Sequence, residues 1–89
     1  MKTKNLYQEA VKDIPMDIRK ATALSFSISD KIHLILKKEK MTQKEFARRM
    51  GKTEAEVSVW LSGQHNFTLR TLAKISAVLG EDIVCVPLK

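Results

Sequence analysis

Two short segments in the middle of the chain carry apolar residues at helical spacing, and a glycine separates them. The apolar positions are Phe46, Ala47 and Met50 in the first segment, and Val57, Trp60 and Leu61 in the second. This spacing predicts one buried face on each of two helices. Gly51 stands where a helix end favours a left-handed residue, and Gly63 is placed to end the second helix. Trp60 could instead be a stacking platform for single-stranded nucleic acid, but its three-residue spacing from Val57 favours the core.

Polar residues mark the start of both helices. Thr42 and Thr53 each precede an apolar run, and each is followed three residues later by a glutamate, Glu45 and Glu56. The pattern predicts two N-caps, each completed as a capping box. Two helices joined by a tight turn, with the small Ala47 near their crossing, are typical of a helix-turn-helix that places one helix in a DNA groove. An ordinary α-hairpin in a small helical protein is the alternative.

The segment before this motif has a continuous apolar stripe. Its positions are Ile14, Ile18, Ala21, Ser25, Ile28, Ile32 and Ile35. They alternate four and three apart and predict one long helix that reaches Lys38, with Pro15 in its first turn. Ser27 and Ser29 offer caps, so two helices with a break near Phe26 are the alternative. Residues 1–13 are polar with scattered apolar positions and could form a short helix or an arm.

The segment after the motif predicts one more helix and then a strand. Thr68 is placed to cap a helix that Gly80 terminates, and Leu69, Leu72, Ile75, Ser76 and Leu79 are its inward positions. The run from Asp82 to Leu88 is rich in β-branched residues and contains a proline, which predicts a short strand. A lone strand leaves its backbone groups unpaired, so we expect it to pair with the same strand of another copy. An extended tail packed on its own helices is the alternative.

Composition limits the functions that the chain can have. Its 89 residues predict one small domain with a marginal core, for which a homodimer is expected. No apolar run is long enough to span a bilayer, no secretory signal is expected, and the single Cys85 cannot form an internal disulfide, so we expect a cytoplasmic protein. His33, His65 and Cys85 supply no metal-ligand spacing. No catalytic constellation, cofactor motif or metal cluster is present in the sequence, and no enzymatic activity is expected.

The motif resembles the helix-turn-helix of the XRE/Cro family of phage and bacterial repressors. The resemblance rests on Thr42-Gln43, Phe46-Ala47, Gly51, Val57, Trp60 through Gly63, and the following Asn66 to Ile75. It implies an all-α fold, a lambda-repressor-like helix-turn-helix bundle of four to five helices. The N-terminal helical extension lies beyond the minimal family domain, and the short C-terminal β-strand is predicted from the residue pattern, although some antitoxins of the family end in a similar strand. The corresponding boundaries are residues 1–27 for the extension, 28–80 for the DNA-binding domain and 81–89 for the strand.

The resemblance and the spacing together give a set of candidate DNA contacts. In the family, the residue matching Gln43 contacts a DNA phosphate. The residues matching Ser62, Gln64 and Asn66 follow the recognition helix, where the family makes further phosphate contacts. Thr53, Glu54, Ala55, Ser58 and Val59 are expected to face the major groove. The net charge of +6 favours polyanions, and Lys44, Arg48, Arg49 and Lys52 are placed to meet phosphates. Lys37, Lys38 and Lys40 could add to them or form a solvated face.

These residues predict a sequence-specific transcriptional repressor that binds a palindromic operator in double-stranded DNA as a homodimer. The size, the extension and the terminal strand resemble a HigA- or HipB-like antitoxin, which implies a toxin protein as a possible partner. A stand-alone or phage-type repressor is the alternative. A protein-interaction module that has lost DNA binding is a further one, because Glu54 and Glu56 put negative charge where family members often carry glutamine, arginine or serine.

Overall fold

Four helices make up the part of the chain that the structure, a computed structural model, describes, residues 13–87. They are α1 (Met16–Lys38), α2 (Gln43–Met50), α3 (Glu54–Leu61) and α4 (Leu69–Leu79). The prediction of a helical bundle around a helix-turn-helix is confirmed. The short helix or arm proposed for the first residues lies, up to residue 12, outside the described range.

Helix α1 is one uninterrupted helix of 23 residues, as the apolar stripe predicted, and the alternative of a break near Phe26 is not observed. The Pro15 carbonyl accepts hydrogen bonds from the Ile18 and Arg19 amides, both at 3.1 Å, and so starts the helix. The apolar stripe is buried only in the second half of the helix. Ile32 is fully buried there, whereas Ile18 in the first half is 51% exposed. The first half of α1 therefore extends beyond the core of the domain.

The end of α1 carries an unusual residue. Lys40 adopts a left-handed conformation with φ 55°, although it is not a glycine. Its amide donates to the Lys37 carbonyl at 3.2 Å, and the Met41 amide donates to the Leu36 carbonyl at 2.9 Å. These two bonds form a Schellman motif, which turns the chain into α2.

The predicted N-caps are all present. The side chains of Thr42, Thr53 and Thr68 accept from the third residue of their helices at 3.0, 3.1 and 3.1 Å. The capping box at Thr53 is complete, because its amide also donates to the Glu56 carboxylate at 3.0 Å.

At Thr42 the predicted capping box is wrong. The Glu45 carboxylate accepts instead from the side chains of Arg48 and Arg49, one turn further along α2. Charged donors at helical spacing offered this carboxylate a stronger bond than the Thr42 amide did.

The core lies where α2, α3 and α4 meet the second half of α1. Phe46, Val57 and Ile75 are fully buried, one from each of the three shorter helices. Trp60 is 5% exposed and packs edge-to-face on Phe46, with ring centroids 6.2 Å apart. Trp60 is thus a core residue, as its spacing predicted, and is not available as a stacking platform.

The predicted C-terminal β-strand is wrong for the residues that the structure describes, since 81–87 contain no strand. Ile83 is instead buried against the helices, and its amide donates to the Ser76 hydroxyl at 3.1 Å. Val84 and Val86 are exposed on either side of Cys85. The buried Ile83 side chain, the Ser76 hydroxyl and ion pairs from Glu81 to Lys31 and Lys38 of α1 hold the segment. The alternative of an extended tail on its own helices is therefore the observed one.

Candidate nucleic-acid interface

The leading end of α3 is open to solvent while its opposite side is buried. Val57 is fully buried and Trp60 nearly so, which turns the other side of the helix outward. The residues that were expected to face the major groove are all exposed; they are Thr53, Glu54, Ala55, Ser58 and Val59. The helix presents its capped N-terminus to solvent, which is the end that helix-turn-helix proteins direct at base edges.

The first turn of α2 lies beside the first turn of α3. The side-chain amide of Gln43 donates to the Glu54 carbonyl at 3.4 Å, and Gln43 is half-buried as a result. This bond links the N-terminal ends of the two helices. Helix N-termini carry free amides and partial positive charge, so two of them side by side suit an anionic backbone.

Two arginines on α2 share one carboxylate. Arg48 Nη2 lies 2.6 Å and Arg49 Nε lies 2.7 Å from Glu45 Oε2. Hydrogen bonds from Arg48 and then Arg49 lower the pKa of Glu45 to about 2, and the Glu45 carboxylate raises the pKa of Arg48. Each guanidinium keeps further N–H groups for a phosphate, because an arginine has five donors. Lys44 and Lys52 are exposed close to these arginines in the chain.

Lys74 is a further cation near the turn that the sequence did not assign to the site. Its Nζ lies 3.9 Å from the position that a β-carbon on Gly51 would occupy. The ammonium of α4 therefore reaches the glycine turn between α2 and α3. Only the packing of α4 against α2 brings the two together, since 23 residues separate them in the chain.

The loop after α3 directs its side chains partly inward. The Ser62 hydroxyl donates to the Val59 carbonyl at 2.6 Å and accepts from the Gln64 amide at 3.3 Å, so it closes the end of the helix. Gln64 and Asn66 are exposed and line a cavity of about 460 Å³ between this loop and the first half of α1. These predicted phosphate contacts thus lie beside the extension, and Ser62 already has local partners.

One side of α1 holds the C-terminal end of α3. The buried Ser29 hydroxyl donates to the Trp60 carbonyl at 2.5 Å, and His33 Nε2 donates to the Leu61 carbonyl at 3.1 Å. One turn earlier, the Phe26 ring lies so close to Gly63 that a β-carbon on this glycine would overlap it. Sequence patterns did not identify these contacts, because they join polar groups about 30 residues apart. Through them α1 fixes the orientation of α3.

The acidic residues of α3 have different environments. The Glu56 carboxylate is bound by the Thr53 amide in the capping box, as expected. Glu54 is exposed in the first turn, where a negative charge stabilises the helix dipole. One acidic side chain, and not two, is therefore left free at the end that faces solvent.

A family model described as "Helix-turn-helix" matches residues 32–84, which is more than half of the chain. The match includes all of α2, α3 and α4 and begins within α1. No curated protein and no solved structure matched the sequence. Within residues 13–87, no helix is long and apolar enough to cross a membrane, and no group of three or more His, Cys, Asp or Glu side chains could hold a metal ion.

Proposed function

The chain belongs to the helix-turn-helix family of DNA-binding transcription regulators, whose members are typically not enzymes, and from that premise we propose that it is a sequence-specific repressor. It acts as a homodimer on a palindromic operator. The observation that carries this proposal is the exposed, capped N-terminus of α3 beside the cations of α2. A two-fold dimer would place two α3 helices in successive major grooves, about 34 Å apart.

The exposed side chains of α3 contact the bases. The Ser58 hydroxyl can donate to or accept from several bases, and Ala55 and Val59 can contact a thymine methyl group. Glu54 can accept from a cytosine amino group, which would turn its negative charge into a source of preference. These contacts discriminate between sequences, whereas contacts to phosphates do not.

The surrounding cations and amides provide the affinity for the DNA backbone. Lys44, Arg49 and Lys52 lie on or next to α2, and Gln43 stands in its first turn. Each phosphate that a cation neutralises releases a counterion, so binding should weaken steeply as salt increases. The extra ammonium of Lys74 at the turn adds to the same surface.

More narrowly, we propose that the chain is the autoregulating antitoxin of a toxin–antitoxin pair in the cytoplasm. The support is the length of α1, whose first half lies outside the family match and exposes Met16 and Ile18, which a toxin could cover. Co-purification of the chain with the product of a neighbouring toxin gene tests this role. A stand-alone or phage-type repressor would bind DNA in the same way but would have no such partner.

Fluorescence anisotropy tests the repressor proposal directly. A labelled palindromic duplex, selected from a random pool, is titrated with the full chain at two salt concentrations and compared with a scrambled duplex. We expect tighter binding to the selected duplex and a marked loss of affinity at the higher salt concentration. Negligible binding to both would favour a protein-interaction module, for which the exposed Glu54 is the specific support.

Three substitutions separate base reading from backbone contact. Ser58→Ala should reduce the preference for the selected duplex, whereas Lys44→Ala and Arg49→Ala should weaken binding to both duplexes alike. Lys20→Ala, an exposed cation in the first half of α1, is the control for the loss of one positive charge outside α2 and α3. Equal effects of the three interface variants on both duplexes would contradict the division of roles.

A further inference from the structure

A continuous apolar surface remains uncovered on the described chain. Leu69 is 85%, Val86 78% and Leu24 59% exposed, and Val84 is also exposed. Two grooves, of about 250 and 420 Å³, adjoin each other along this surface and share Leu69, Leu72 and Val84. We call it the apolar face, and we propose that a second copy of this chain packs on it across a two-fold axis.

Three elements build the apolar face. Helix α1 contributes Leu24 from its first half, α4 contributes Leu69 and Leu72 from its first turns, and the C-terminal tail contributes Val84 and Val86. Between these larger side chains stand small residues at helical spacing, Ala21 and Ser25 on α1, and Ala73 and Ser76 on α4. Large exposed side chains next to small ones give a surface with ridges and grooves. The ridges of one copy can pack into the grooves of the other.

The charge of the apolar face favours a second copy as its occupant. Sixteen of the 89 residues are lysine or arginine. Among residues 13–87, however, Asp82 is the only charged residue that lines either groove. Two copies with a net charge of +6 can therefore meet here without opposing cations. Depletion of charged residues is also what distinguishes the centre of a protein–protein interface. Nucleic acid does not fit the face, because phosphates would meet no cation among the described residues that line it.

The position of the face agrees with the repressor proposal, on which this inference rests. None of the exposed residues of the α3 leading end lines either groove, so a copy seated there leaves the DNA-reading side free. A palindromic operator requires two copies related by a two-fold axis, and such an interface uses the same patch on both. Stable interfaces bury about 800 Å² on each partner. The large aliphatic side chains would form the water-free centre of such an interface.

Sedimentation velocity of the full chain and two matched variants tests the inference. Leu69→Glu puts a carboxylate at a residue that lines both grooves, where a second copy would bury the charge against apolar side chains. Leu34→Glu is the control, because Leu34 is 65% exposed on α1 but lines neither groove. We expect a dimer whose dissociation constant rises at least about tenfold in Leu69→Glu and stays unchanged in Leu34→Glu. Circular dichroism checks that both variants are folded.

A full chain that stays monomeric up to its solubility limit would overturn the inference, whether residues 1–12 or a different protein covers the face. A dimer that Leu69→Glu does not weaken would overturn it as well.

DNA binding distinguishes failure of this inference from failure of the proposed function. Leu69→Glu should keep its affinity for a duplex with one half-site and lose cooperative binding to the palindrome. A monomeric wild type that still prefers the selected sequence would refute the dimer face and the homodimer, and would leave sequence-specific DNA binding intact. A Leu69-dependent dimer without any DNA preference would refute only the repressor.

Discussion

Removal of the Ser29 hydroxyl is the most direct test of how α1 holds α3, the helix proposed to contact the bases. Ser29 is 2% exposed, and its hydroxyl donates at 2.5 Å to the carbonyl of Trp60 near the end of α3. That carbonyl belongs to the last turn of the helix, where carbonyls lack a partner within the helix. Ser29→Ala leaves it buried without a donor, which costs about 1–3 kcal/mol of the free energy of unfolding.

The size of the effect must be separated from helix propensity. Alanine favours a helix over serine by up to about 0.5 kcal/mol, so the substitution also stabilises α1. Ser27→Ala carries the same change two residues earlier, at an exposed position of the same helix. The gain in helix propensity is common to both variants, so their difference isolates the hydrogen bond, and we expect about 1–3 kcal/mol.

Urea unfolding followed by the fluorescence of Trp60, the only tryptophan, measures this difference. The midpoint should fall in Ser29→Ala and rise slightly or stay in Ser27→Ala, with the same slope in both. In a domain of this size, 1 kcal/mol also shifts the thermal midpoint by roughly 4–8 °C. Equal midpoints for the two variants would mean that the bond between α1 and α3 contributes nothing to stability.

Three further substitutions test other features of the fold. Lys40→Gly should stabilise the chain by about 0.5–1 kcal/mol, since it relieves a left-handed conformation at φ 55°, and a lower urea midpoint would contradict this. Gly63→Ala should destabilise it by more than about 1 kcal/mol, because φ is 89° and the new β-carbon meets the Phe26 ring; an unchanged midpoint would refute the close approach. Glu45→Gln should lower stability above pH 4.5, and the difference from the wild type should vanish as the pH falls through about 2. The reason is that the folded state lowers the pKa of Glu45 from 4.5 to about 2, so its contribution is lost with protonation. Acid titrations of both proteins at low and high salt check this, and a difference that persists at pH 2 would exclude the ion pairs as its cause.

Local signals in the sequence were sufficient for the helices and for the exposed side of α3. The caps at Thr42, Thr53 and Thr68 and the left-handed Gly51 and Gly80 depend on neighbours within four residues, which a sequence displays directly. The same locality explains why the stripe on α1 predicted one continuous helix.

Errors arose where the partner of a group is set by competition or by packing. β-Branched residues at 83–86 fit both a strand and an extended tail, and only the insertion of Ile83 and its bond to Ser76 decides between them. The Glu45 carboxylate had a backbone amide and two guanidiniums within reach, and it bound the guanidiniums. The hydrogen bond from Ser29 and the approach of Lys74 to Gly51 join segments that are distant in the chain, so no local sequence pattern predicts them.

The continuous helix α1 connects two sites of the molecule. Its 23 residues span about 35 Å. Its first half contributes to the apolar face, and its second half is hydrogen-bonded to the end of α3 through Ser29 and His33. A continuous helix transmits a tilt from one end to the other, so a ligand that displaces the first half of α1 would shift α3 relative to DNA. Thermodynamic reciprocity then requires the operator to change the affinity for that ligand by the same factor.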